Sequence, residues 1–175
     1  RIAMGSKAQL GFFGFFHAQT LFVTIFTIPL LGPASSARPF PGILDYLGVA
    51  IWVAAMTGEW IADRQLHSFV RNPENKGKTC RVGLWNYTRH PNYFFEWVHW
   101  FTYIPAAVGS TLIFASLTGP VLIFLFLFYV TGIPHTEKQA LSHRPDYSDY
   151  MREVPMFFPR LTANQTSSNR TPENT

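Results

Sequence analysis

Residues 97–136 form a run of forty positions with no Asp, Glu, Lys or Arg. Wound as helix at ~1.5 Å per residue, such a run crosses a ~30 Å hydrocarbon layer about twice. Residues 8–37 are a second stretch free of the same four residue types. Charged residues make up roughly a quarter of an ordinary soluble domain, but only 14% of these 175 residues. A Phe-rich soluble core would account for 17 Phe, but not for their segregation from charge. The chain therefore reads as an integral membrane protein, with the lipid bilayer as its first partner.

Four apolar segments emerge, at residues 10–31, 43–61, 91–106 and 112–133. The expected fold is all-α, a polytopic transmembrane helical bundle of about four membrane segments. The third segment is short, and Pro105, Gly109, Gly119 and Pro120 interrupt the apolar run beyond it, so segments three and four are expected to form a tight helical hairpin. Residues 1–161 make one membrane domain, and helices are expected upstream because the first segment begins almost at Arg1. Residues 162–175, rich in Ser, Thr and Asn, are expected to be a disordered polar tail.

Basic residues set the orientation. The connection between segments one and two holds only Arg38, whereas the stretch from Asp63 to Tyr93 holds Arg64, Arg71, Lys76, Lys78, Arg81 and Arg89. Arg1 and Lys7, and a tail with Lys138, Arg144, Arg152, Arg160 and Arg170, fall on the same side as that loop in a four-segment chain. The positive-inside rule makes this side cytosolic. The net charge of +4 sits at membrane borders, which suits anionic lipid or a phosphorylated cofactor and argues against nucleic acid. The single cysteine, Cys80, excludes an internal disulfide.

The stretch from Gly83 to Trp100, GLWNYTRHPNYFFEWVHW, carries the chemistry. Ionisable residues at or inside a bilayer are costly and so mark functional sites. In a helix, Asn92 and Glu96 share a face that His99 and Tyr103 continue, and Arg89 and Tyr93 form a second i,i+4 pair. Glu59 and Asp63 close segment two at the same membrane edge, followed by Arg71, Lys78, Arg81 and His90. Cations, amides and carboxylates together suit a dinucleotide: Lys and Arg neutralise phosphates and carboxylates accept from ribose hydroxyls. Trp85, Tyr87 and Tyr93 offer flat faces for stacking. No Gly-x-Gly-x-x-Gly element or nucleophile elbow occurs. His90, His99, His135, Glu96 and Glu137 match no metal-ligand spacing, so no metal is expected.

Beyond segment four, a helix over residues 134–143 and another carrying Tyr147 and Tyr150 are expected either as a lid over the basic loop or as surface helices. His17, Thr20, Thr24 and Thr27 line a stripe on segment one, where interhelical hydrogen bonding outweighs a substrate-facing role.

Several elements together resemble the steroid 5-alpha-reductase-like membrane family, nearest to its uncharacterised branch. They are Glu59-Trp-Ile-Ala-Asp63-Arg-Gln-Leu, the stretch from Gly83 to Trp97 with its Arg-His-Pro-Asn-Tyr core, Glu137, and Asp146-Tyr147-Ser-Asp-Tyr150. The resemblance spans residues 43–159. It implies NADPH held by the C-terminal helices and loops, and hydride delivery to an activated carbon–carbon double bond of a small lipophilic substrate. By the family pattern, Asp63, Arg71, Lys78, Asn92 and Glu96 match cofactor-contacting positions. Arg89, His90, Tyr93, Glu137 and Tyr147 sit in matching motifs, and Tyr93 is the candidate catalytic acid. Phe95 departs from the family, which usually has Gly there, and so threatens to narrow the site. The family's N-terminal proton donors have no counterpart here. The endoplasmic reticulum is the expected membrane. Two alternatives stand beside the reductase: an isoprenylcysteine carboxyl methyltransferase-like enzyme using S-adenosylmethionine, which shares an Arg-His-Pro-x-Tyr element, and a non-catalytic lipid-binding membrane protein.

Overall fold

Helix α1 (Ala8–Thr27) passes through a 3-10 turn (Ile28–Leu30) into a short α2 (Leu31–Ala34). A computed structural model describes residues 8–130 and 132–160, among which there is no β-strand. The expected tail 162–175, and Arg1 and Lys7, lie outside the described residues. No residue of α1 is buried. Phe12, Phe13, Phe15, Phe16 and Leu21 stand on its open surface, a contiguous apolar display of the kind that marks a membrane or protein contact. His17 Nδ1 lies 2.9 Å from the Phe13 carbonyl oxygen, and Thr20, Thr24 and Thr27 each donate to the carbonyl four residues back. The polar stripe is thus satisfied within its own helix, not across helices as expected. A hydroxyl one turn above a carbonyl finds that partner without any tertiary contact.

Helix α3 (Ile43–Arg71) is 29 residues long, about 44 Å at the usual rise. It starts where Asp45 accepts a hydrogen bond from the Gly42 N–H at 2.7 Å and an ion pair from Arg38 at 2.9 Å. The expected segment ended at residue 61, with a loop from Asp63. The helix instead runs on because nothing in ADRQLHSFVR stops it. Asn72 does: it is held extended by Pro73, and its side chain accepts from the Glu74 N–H at 3.1 Å.

Helix α4 (Pro91–His99) breaks into a 3-10 turn (Trp100–Thr102) before α5 (Tyr103–Ala106). Gly109, at φ +85°, makes the turn that sends α6 (Ile113–Leu125) back alongside. The expected hairpin is present, closed by the Trp97 indole donating to the Pro120 carbonyl at 3.1 Å. Arg38 donates to the Val108 carbonyl at 2.7 Å, and the Ser35 and Ser110 hydroxyls meet at 2.7 Å. These contacts tie the α2 end to the hairpin turn. At the opposite end, α6 widens into a π-helical stretch (Phe126–Val130), and α7 (Ile133–His143) and α8 (Tyr147–Glu153) come after it.

Two helices, Ala8–Ala34 and Ile113–His143, are long and apolar enough to cross a membrane. Ile123, Leu127, Ile133 and Phe157 form the core where α6 and α7 meet the last described segment, and Tyr93, Phe94 and Trp97 pack against it. Helices α3 and α4 lie face to face. Gly58 provides the notch: a Cβ there would collide with the Phe95 ring.

Candidate functional site

Pro91 fixes the local shape of the site. It starts α4 at a position that needs no N–H, and it holds His90 out of the helical region at φ −134°, ψ 63°. The expected helical pairing of Arg89 with Tyr93 therefore does not form, since Arg89 precedes the helix. Its backbone N–H donates to the Pro155 carbonyl at 2.9 Å and its Nη1 to the Met151 carbonyl at 3.0 Å. His90 stacks on Tyr93 instead, with ring centroids 5.4 Å apart.

The chain after α7 folds back over residues 79–90. Thr79 gives both its N–H and its hydroxyl to the Asp146 carboxylate, at 3.0 and 2.7 Å. Thr88 donates to the Phe157 carbonyl at 2.9 Å. Tyr150 donates to the Trp85 carbonyl at 2.6 Å, and the Trp85 indole donates to the Ala62 carbonyl at 2.9 Å. That chain of bonds couples α8, the loop and α3. Burial pushes the Tyr150 hydroxyl far above its ordinary pKa, so it stays a donor at any working pH.

Between roof and floor lies a cavity of about 430 Å³, within the range of small-molecule sites. Arg89, His90, Asn92 and Tyr93 line one wall. Thr136, Gln139, Ala140, His143 and Arg144 of α7 and its joint line another, with Tyr147 and Tyr150 from α8. Leu66, Thr79, Cys80 and Trp85 complete it. Glu137 stands just behind: its Oε1 is 2.9 Å from Arg89 Nε and 3.2 Å from His90 Nε2. The Arg89 Nε–H does not point at that oxygen, so the contact is between charges only. Among the described residues Asn92 Oδ1 is buried with no hydrogen-bond partner, a state native proteins avoid because it costs roughly 1–3 kcal/mol. Burial raises the Tyr147 hydroxyl to about 12, against the pull of Arg89 and Arg144. Burial likewise raises the Cys80 thiol.

The structure brings Arg89, His90, Asn92, Tyr93 and Tyr147 to the cavity, with Glu137 as their neighbour. Glu96 and Asp63 do not line it, but both carboxylates are within electrostatic reach of the Tyr93 hydroxyl. Arg71 and Lys78 lie exposed, on the end of α3 and in the loop after it. They are not among the lining residues. The seam does continue through the 3-10 turn, with the His99 and Tyr103 rings 6.0 Å apart, but neither residue is among those lining the cavity. Among the described residues no group of three or more His, Cys, Asp or Glu is placed to hold a metal ion. Phe95, expected to narrow the site, is not among the lining residues; its ring lies against Gly58 of α3. Sequence reading missed Thr136, Gln139, His143 and Arg144 as wall residues. Their only signal was the 3.6-residue spacing of Thr136, Gln139, Ala140 and His143 on one face of a helix.

A second concavity, of about 390 Å³, is almost wholly apolar and opens between α4–α5 and α6. Trp97, Phe101, Ile104, Leu117, Pro120 and Phe124 line it.

Among the described residues the chain is all-helical, with two helices long and apolar enough to cross a membrane and a cavity of mixed lining under a C-terminal roof. The chain belongs to the family described as "Protein of unknown function (DUF1295)", whose model matches residues 1–154. No curated protein and no solved structure matches it.

Proposed function

We propose that this protein is a membrane-embedded reductase that uses NADPH to reduce a carbon–carbon double bond of a small lipophilic substrate. The observation that carries this reading is the cavity itself, which pairs cationic walls with an unpartnered buried amide oxygen beside an apolar groove. Asn92 Oδ1 fits a carboxamide N–H, which would fill its empty acceptor position. Arg89 and Arg144 fit phosphate, and Trp85 and Tyr147 offer aromatic faces to a base or nicotinamide ring. When bound, NADPH supplies a hydride. The chain's own part is to hold the reacting carbon near that hydride, exclude water and deliver a proton from the Tyr93 hydroxyl. Tyr93 faces the cavity, while Trp97, one helical turn away, faces the groove. A lipid lying in the groove would thus present its head to Tyr93.

On this reading all four helical segments cross the membrane of the endoplasmic reticulum. The cavity, the basic loop and the C-terminal helices then face the cytosol, where NADPH is available. Asp63 and Glu96 bear on Tyr93, and Arg71 and Lys78 sit at the membrane border as attractors for an anionic cofactor.

The test is a titration of purified full-length protein in lipid nanodiscs with NADPH, NADH and S-adenosylmethionine, monitored by tryptophan fluorescence. The expected result is saturable NADPH binding that weakens at least tenfold in Asn92→Leu, the order expected when roughly 1.4 kcal/mol or more of contact is removed. Binding of S-adenosylmethionine without NADPH would overturn the proposal in favour of a methyltransferase. Silence toward all three would favour a non-catalytic lipid-binding protein.

A further inference from the structure

Arg144 sits at the joint between α7 and α8, held extended by Pro145, at φ −132° and ψ 106°. Its backbone is fixed on both sides: its N–H donates to the Ala140 carbonyl at 2.9 Å, and its carbonyl accepts from the Tyr147 N–H at 3.2 Å. The side chain lines the cavity, within electrostatic reach of the Tyr147 hydroxyl and the Cys80 thiol.

The carboxylates around this corner are already engaged. Glu137 faces Arg89 and His90. Both oxygens of Asp146, two residues from Arg144, are taken by Thr79. Glu153 is paired with Arg81. Among the described residues Arg144 forms no ion pair. The Arg89 guanidinium thus has Glu137 as its charge partner, whereas the Arg144 guanidinium, lining the same cavity, has none among the described residues. A planar, permanently charged fork at a fixed position suits a phosphate better than a flexible ammonium does. The exposed His143 ring and the Gln139 side chain line the same cavity.

We infer that the α7–α8 corner of the cavity, centred on Arg144, is a subsite for a phosphate monoester dianion. Resting on the NADPH reading, this is the subsite that takes the 2′-phosphate and so separates NADPH from NADH. The same chemistry is also carried by the headgroup of phosphatidic acid, and the test distinguishes the two sources.

Binding of NADPH, NADH and 2′,5′-ADP is measured on full-length wild type, Arg144→Gln and Arg144→Lys in neutral-lipid nanodiscs. The three proteins are also compared in nanodiscs containing phosphatidic acid, by thermal melting. The expected result is a loss of tenfold or more in NADPH and 2′,5′-ADP affinity in Arg144→Gln, with NADH within twofold and partial recovery in Arg144→Lys. Equal losses for NADPH and NADH, or no loss for either, would overturn the subsite. If wild type binds no dinucleotide but 2′,5′-ADP or phosphatidic acid binds in an Arg144-dependent way, the subsite stands and the reductase reading fails. Should Arg144→Gln not fold, Arg144→Lys decides: unchanged 2′,5′-ADP binding with NADPH no better than NADH overturns the proposal.

Discussion

The two ends of this molecule solve the same problem in opposite ways. Along α1 every hydroxyl turns back to its own helix, no residue is buried, and the surface is phenylalanine. Around residues 79–90 many polar groups reach across the chain, several to partners sixty or more residues away: Thr79 to Asp146, Tyr150 to Trp85, Thr88 to Phe157. A helix that satisfies itself can face hydrocarbon, where no water exists to help. A loop cannot, so it takes its partners from a second layer of protein. Polar architecture at the one end is local and replaceable, and at the other it is shared.

The strongest way to break that contrast is Arg89→Met. It strands the Glu137 carboxylate, only 12% exposed, without its nearest charge. Breaking such a pair costs about 3–5 kcal/mol. A melting shift in nanodiscs no larger than that of a surface substitution would show the pair to be idle. Tyr150→Phe comes next. It leaves the Trp85 carbonyl without its 2.6 Å donor, worth roughly 1–3 kcal/mol, and the loosening should register as faster amide exchange around Ala62 as well as in α8.

Cys80 reports the same enclosure kinetically. Its thiol is buried and its pKa raised by that burial, against a hydrogen bond at Val82 and the charge of Arg144. The thiolate fraction at neutral pH is then smaller than for a free cysteine. Maleimide labelling should be slower than in the unfolded chain by about tenfold or more and should quicken as pH rises. Equal rates in folded and unfolded protein would mean that the roof is not closed. The smallest effect belongs to Thr24→Ala on α1, within about 0.5 kcal/mol of zero, because its hydroxyl serves only its own helix. A large loss there would place a hidden partner against α1 and erase the contrast.

Sequence alone made the helical segments, the hairpin and the C-terminal helices legible, because uninterrupted apolar runs and Pro/Gly punctuation act over a few residues. It misjudged the end of α3, where amphipathic ADRQLHSFVR continues a helix that hydropathy alone would stop. It paired Arg89 with Tyr93 by helical spacing, although Pro91 already held residue 90 out of helical geometry. The wall formed by Gln139, His143 and Arg144 was invisible, since it exists only when α7 folds back across a separation of some fifty residues. Phe95 was read as an obstruction because its accommodation depends on Gly58, on another helix. Short-range rules found the pieces; long-range contacts decided which of them meet.

The Tyr150–Trp85–Ala62 chain of hydrogen bonds also has a bearing on synthesis. Its floor, residues 62 to 93, leaves the ribosome before the last long apolar helix, and its roof leaves after it. The cavity can therefore be completed only once that helix has found its place. A nascent chain stalled before α8 would hold the floor of the cavity but lack Tyr150, the donor that ties the roof to it.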